Sequence, residues 1–347
     1  MPDQPSTSAT NPPFGWLGVF AAVAAILVVP ALLDQKSLPR KPFDEQPLRL
    51  LQKTQPQCVL LGDSMLDSRI DEAVLNGIAD RSCAVQARRG TSTAVWFLVL
   101  KNLVAAQPKP PGTVIVFFRN RQLTLPAHRA TGPHRSRMEP VMREQEPLVE
   151  ELIAAEMRRR TPWLDRAAQA AYPVQRWRDF WRERVQAWAL DIVASSRQYV
   201  AIRAAARDIF STKNLRGDQQ QDEAQEEGKI GLDEHDHEFA DAVEHSFLPP
   251  MLKLAHSQGL RLVFFRVKKR PSDTGALADE SGTAPAYQAA LRAYLEKAGA
   301  ILIDESRDPD LTLDFYGSGD HVKPAMEKTY TEMFWRKVGP LLPAPAR

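Results

Sequence analysis

A serine hydroxyl is a weak nucleophile until a nearby base takes its proton, and one serine of this chain stands where such activation is expected. Ser64 closes the segment Val59-Leu60-Leu61-Gly62-Asp63-Ser64. A short apolar run of this kind reads as a parallel strand buried on both faces. It stops at a small, flexible turn, and a helical pattern (Met65, Leu66, Ile70, Val74, Leu75) follows. Ser64 is thereby expected at the carboxyl end of a strand and the start of a helix. Open α/β sheets bind ligands at that edge, and N–H groups at a helix start favour developing negative charge. The chemistry this suggests is acyl transfer through the serine.

Such a serine needs a base, and histidine is the natural one near neutral pH. Of seven histidines, His128 and His134 lie in an Arg- and Pro-rich segment, His235 and His237 in an acidic stretch, and His245 and His256 on a helical pattern. Only His321 sits in a strand-to-helix loop near the C-terminus, within Gly317-Ser318-Gly319-Asp320-His321-Val322-Lys323-Pro324. The orienting carboxylate is left open between the adjacent Asp320, Asp314, and none, with a backbone carbonyl in its place. Arg88, Arg89, Arg119 and Arg121 fall at the same predicted edge, either as solvated surface or, for Arg119 and Arg121 above all, as partners for an anionic sugar or phosphate. His235-Asp236-His237 reads as part of a solvated loop, because a flexible acidic segment preorganises a metal poorly. The chemistry requires no metal and no dissociable cofactor.

The elements that must position these residues alternate. Strands are expected at 57–61, 83–87, 113–118, 260–265 and 300–303, with helices near 65–79, 92–106, 240–258, 285–298 and 324–338. That order argues for an α/β fold with a mostly parallel sheet covered on both faces. Residues 57–124 and 240–347 form its two halves, and 125–239 between them reads as a helical insertion with an acidic loop. Within the insertion Trp177, Trp181, Val185, Trp188 and Ile192 share one helical face, as a core seam would.

The remaining features bear on location. The chain of 347 residues carries a formal charge of +2, too small to argue for nucleic acid. Residues 1–13 read as a disordered tail. Phe14 to Leu33 is a run of twenty uncharged, mostly apolar residues, long enough to cross a bilayer core. With no basic residue before it and a poor cleavage site after it, the run reads as an uncleaved anchor rather than a signal peptide, and 34–56 as a tether. Lys36, Arg40 and Lys41 by themselves favour a cytoplasmic domain, whereas the function suggested below favours the outside. The two cysteines, Cys58 and Cys83, begin adjacent predicted strands. Two buried thiols are expected there, a disulfide being the alternative.

Leu61-Gly62-Asp63-Ser64 resembles the first sequence block of the SGNH, or GDSL-type, hydrolases, and Asp320-His321-Val322 resembles their last. Gly90 and Asn120, after the second and third strands, match in order the glycine and asparagine of the intervening blocks. The family usually has its aspartate three residues before the histidine, where this chain has Ser318. The resemblance implies an SGNH-like three-layer sandwich in which Ser64 is the nucleophile, His321 the base and Asp320 its partner. Gly90, Asn120 and the Ser64 N–H would donate to the oxyanion. Together with the N-terminal span, it points to the anchored proteins of bacterial envelope-polysaccharide O-acetylation, such as alginate acetylation proteins and the teichoic acid D-alanylation protein. The implied setting is the bacterial inner membrane with the large domain extracytoplasmic. The implied partners are a cell-envelope polysaccharide and a multispan membrane-bound O-acyltransferase. A carbohydrate esterase or lipase-like hydrolase using the same residues is the alternative, and a non-catalytic envelope assembly protein is another.

Overall fold

A strand hidden on both faces favours apolar side chains, and two segments are hidden along their whole length: every residue of Cys58–Gly62 and of Thr113–Phe118 is buried, Thr113 being the one polar side chain. In the computed structural model, which describes residues 41–160, 239–272, 284–317 and 319–342 together with Gly18, they are neighbouring strands. The chain divides into two compact units, and the elements below all belong to the one formed by residues 40–160 and 197–347. They run α1 (Gln46–Thr54), β1 (Cys58–Gly62), α2 (Ser64–Asp67), α3 (Glu72–Ile78), β2 (Cys83–Ala87), α4 (Thr93–Val99) and β3 (Thr113–Phe118). After these come α5 (Pro147–Arg160), α6 (Phe239–Glu244), α7 (Leu248–Ser257), β4 (Arg261–Arg266), α8 (Ala284–Lys297), β5 (Ile301–Asp304) and α9 (Glu327–Val338).

The five strands pair in the order β2-β1-β3-β4-β5, and every pairing is parallel. Strand periodicity sends alternate residues to opposite faces. Val59, Leu61, Val114, Val116, Leu262 and Phe264 join α1, α4, α5, α7 and α8 in one core. Leu60, Ile115, Phe117, Val263 and Phe265 join α2, α3 and α9 in the other. In the second core Phe334 of α9 packs on Phe117 and Phe265, with ring centroids 5.2 and 5.1 Å apart. This anchors the helix that follows the His321 loop.

Several expectations need correction at the level of elements. The helix near 65–79 is two helices, because the Asp71 carboxylate accepts from Ala73 and Val74 N–H (2.9 and 3.0 Å) and starts α3 afresh. The helix near 240–258 also divides. Ser246 Oγ accepts from Leu248 N–H at 3.2 Å, and prolines occupy the first turn of α7. Residues 46–54 of the presumed tether form α1, which buries Leu48 and Leu51 in the core. Part of the presumed insertion is core too: Met138, Val141, Val149 and Ile153 are buried in the α1 face. Cys58 and Cys83 lie in register across β1 and β2 as free, buried thiols. The apolar run 14–33, the Trp177 to Ile192 stripe and His235 to His237 fall outside the described residues, Gly18 apart; among the described residues no helix is long and apolar enough to cross a membrane.

Gly62 shows how tightly the end of β1 is packed. A Cβ there would lie 2.7 Å from Leu66 Cβ and 3.1 Å from Phe117 Cβ. Gly62→Ala is expected to destabilise the protein by about 1–3 kcal/mol through overpacking, read as a lower denaturation midpoint at unchanged m-value. An unchanged midpoint would mean that the turn has slack.

Candidate active site

The sheet order places β2 on one side of β1 and β3 on the other, so the chain reverses direction between β1 and β3. Ligand crevices in open parallel sheets form at such a reversal, beyond the carboxyl ends of the strands. Ser64 lies there. It is the first residue of α2 and is buried, and Asp63 before it is the N-cap, its carboxylate accepting from Met65 N–H at 2.8 Å. Asp63 also ties the serine turn to the segment after β3. Its Oδ2 accepts from Gln122 Nε2 at 3.4 Å and lies 3.7 Å from Arg129 Nη1. Gln122 completes the clamp by accepting from Arg119 N–H at 2.9 Å.

The loop carrying His321 is closed by its own backbone. Gly317 N–H donates to His321 O, Lys323 N–H donates to Phe315 O (both 2.8 Å), and Tyr316 and Val322 form an antiparallel bridge. Gly319 has φ 58° in this loop, a conformation that favours glycine. Asp320 ties the loop to the sheet: Oδ2 accepts from Arg119 Nη1 at 3.1 Å and Oδ1 from Arg270 N–H at 2.8 Å. Burial works to raise the Asp320 pKa, but Arg119 and the Arg270 hydrogen bond prevail and hold the carboxyl below its usual range.

His321 is buried beside these groups. Burial, then the charges of Arg69 and Arg119, push its pKa down to about 4, with Asp63 and Asp320 opposing. A pKa near 4 leaves the imidazole in its neutral form across the physiological range, and makes it a weaker base than a solvent-exposed histidine. The hydrogen bond from Arg119 to Asp320 brings the C-terminal loop to the end of β3, and Arg69 joins it to the turn after β1.

Gly90 and Asn120 both follow strands at this edge, and both have left-handed backbone, φ 64° and 48°. Gly90 has a second reason to be glycine. Arg137 Nη1 donates to its carbonyl at 2.6 Å, and a Cβ would overlap that nitrogen. Asparagine is among the residues that tolerate such a φ, and Gln288 Nε2 reaches Asn120 O at 3.5 Å. The arginines differ from one another. Arg119 and Arg121 are buried, the first on Asp320, the second 5.1 Å from the Tyr287 ring centre. Arg89 pairs with Asp67 at 2.7 Å, and burial lowers the Arg88 pKa. Asp314 is exposed. Sequence reasoning passed over Asp63, Gln122, Arg129, Arg270 and Arg69. Only Asp63, next to the serine and well placed as an N-cap, carried any local signal.

No protein-family model and no curated protein matches the chain. Among solved structures it is similar to a proposed acylhydrolase from Bacteroides fragilis NCTC 9343, at 8% identity and a TM-score of 0.38, over 90% of this chain and 98% of that one. So distant a likeness carries no weight on activity, and the functional reading rests on the residues of this chain.

Titration of the His321 ring, followed by NMR and assigned by its loss in His321→Gln, is expected to show a midpoint near 4 rather than 6.5. Below that midpoint the base is protonated, so any activity that uses it should fall on the acid side only there. A midpoint near 6.5 would mean a ring in contact with water.

Proposed function

We propose that this chain is a membrane-anchored, serine-dependent O-acyltransferase of the SGNH type, with acetyl the group transferred and an extracytoplasmic polysaccharide the acceptor. The observation that carries the reading is the buried His321, in a loop that Arg119 fastens to the end of β3 and Arg69 to the Ser64 turn. Ser64 Oγ attacks the carbonyl of an acyl donor while His321 accepts the hydroxyl proton. The Ser64 N–H, the Gly90 N–H and the Asn120 side chain donate to the oxyanion. The donor's leaving group departs with the proton from His321, and an acyl-Ser64 ester remains. A sugar hydroxyl then attacks that ester, gives its proton to His321 and takes the acyl group, and the proton returns to Ser64.

In this reading Asp320 acts chiefly as the anchor of the loop and as a negative charge near the ring. Arg119 and Arg121 support the walls of the crevice, and contact with an anionic acceptor falls to them only at its edge. Residues 14–33 are the anchor, the large domain faces away from the cytoplasm, and a multispan membrane-bound O-acyltransferase supplies the acyl group. Water in place of the sugar makes the same residues an esterase. One observation favours a non-catalytic assembly role instead: the Asp320 carboxylate is engaged by Arg119 and Arg270.

Full-length protein in detergent, wild type and Ser64→Ala, incubated with p-nitrophenyl acetate, tests the reading. Turnover and an acetyl adduct on Ser64 by mass spectrometry are expected for the wild type and absent from Ser64→Ala. Equal turnover by both would remove Ser64 as nucleophile. Silence from a folded wild type, even with the polysaccharide and the membrane partner present, would favour the assembly role. Transfer to added polysaccharide, against release of acetate, separates transferase from esterase.

A further inference from the structure

The mechanism above makes no use of Arg69, a side chain with no exposed surface at all. A buried guanidinium is costly unless its N–H groups are satisfied; Nε of Arg69 has no partner, but both Nη groups are satisfied by the segments that matter most. Nη1 donates to Met65 O at 3.3 Å, on the residue after Ser64. Nη2 donates to Asp320 O at 2.9 Å, on the residue before His321, and to Lys268 O at 3.0 Å beyond the end of β4. The guanidinium also lies 5.6 Å from the ring centre of Tyr330 on α9 and 5.9 Å from that of Tyr316, which forms the neck of the His321 loop.

We propose that Arg69 is a positioning residue, a brace whose planar fork fixes the His321 loop against the Ser64 turn and so holds the imidazole in register with the serine hydroxyl. The inference rests on the serine reading for the reaction it serves, while the brace itself rests on the hydrogen bonds. A guanidinium suits the task because two nitrogens at fixed separation reach both carbonyls at once, whereas a lysine ammonium sits at one point. The brace is itself backed. Tyr330 donates its hydroxyl to Glu305, whose other oxygen accepts from Lys337 Nζ at 2.9 Å, and Asp71 N–H donates to Thr331 of α9 at 3.0 Å. Facing Arg69 are Tyr330, Tyr316, Glu305 and Asp320. Facing His321 are Arg69, Arg119, Asp63 and Asp320, with Arg69 the foremost charge keeping the ring neutral. The rival account makes Arg69 a mere counter-charge for Glu305.

Full-length wild type, Arg69→Lys and Arg69→Met, with histidine ring carbons labelled, distinguish the two by the His321 titration and by p-nitrophenyl acetate turnover. The brace predicts that both variants lose kcat by about 10²-fold, the scale of a misplaced catalytic group, with KM little changed. It also predicts a His321 midpoint that rises in Arg69→Lys, where the charge is kept, as the loop loosens and admits water; in Arg69→Met the lost charge raises it as well. Wild-type kcat and midpoint in Arg69→Lys would show that charge suffices and overturn the brace; so would an unmoved midpoint in Arg69→Met. If the wild type turns over no ester even with the polysaccharide and the membrane partner present, or Ser64→Ala turns it over equally well, the serine reading falls and the titration alone decides: a raised midpoint in Arg69→Lys sustains the brace, an unmoved one overturns it. If neither variant folds, the wild type decides. Resolved, slowly exchanging Nη protons with cross-relaxation to Met65 and Asp320 are expected, and an averaged, freely rotating guanidinium overturns the brace.

Discussion

Burial of β1 and β3 on both faces is the constraint from which the rest of this structure follows. A central parallel strand has no solvent-facing side, so along its length it accepts only residues such as Val59, Leu60, Val114 and Ile115. Charged groups are thereby excluded from β1 and β3 and gather where the strands end. Asp63 and Ser64 follow β1, Arg119 and Asn120 follow β3, Gly90 follows β2, and Lys268 and Arg270 follow β4. The reversal of strand order between β1 and β3 falls at the same edge, where open parallel sheets form their ligand crevices.

At that edge charges are handled without much water. Asp63, Arg69, Arg119, Arg121 and Arg129 are all buried, and burial makes each pairing a condition of folding rather than a surface ornament. The pairs are also structural ties. Asp63 connects the serine turn to Gln122 and Arg129, and Asp320 connects the histidine loop to Arg119 and Arg270. Arg69 connects both turns to one another. The low pKa of His321 follows from this arrangement: burial and the charges of Arg69 and Arg119 disfavour a proton on the ring, even with two carboxylates near.

Where local and long-range forces agreed, the chain could be read directly. The strands at 83–87 and 113–118 emerged with the expected bounds, because runs such as Thr113 to Phe118 are apolar, aromatic and β-branched and have no competing local structure. Where a polar side chain competes with the backbone, the reading blurred. Asp71 and Ser246 each divide what hydropathy alone joins, since a cap acts through one hydrogen bond and leaves the apolar period intact. Proline and charge in residues 46–54 suggested a tether, yet Leu48 and Leu51 find the core and draw the segment into a helix.

The sequence by itself determined the five strands, their mostly parallel class and the serine at a strand-to-helix junction, because each depends on residue type and near neighbours. Tertiary structure alone decided which charges meet. Arg69 and Asp320 are 251 residues apart in the chain, and Arg119 and Asp320 are 201 apart. No periodicity or propensity records such pairings, because a buried charge takes its partner from whatever the packed core brings within reach.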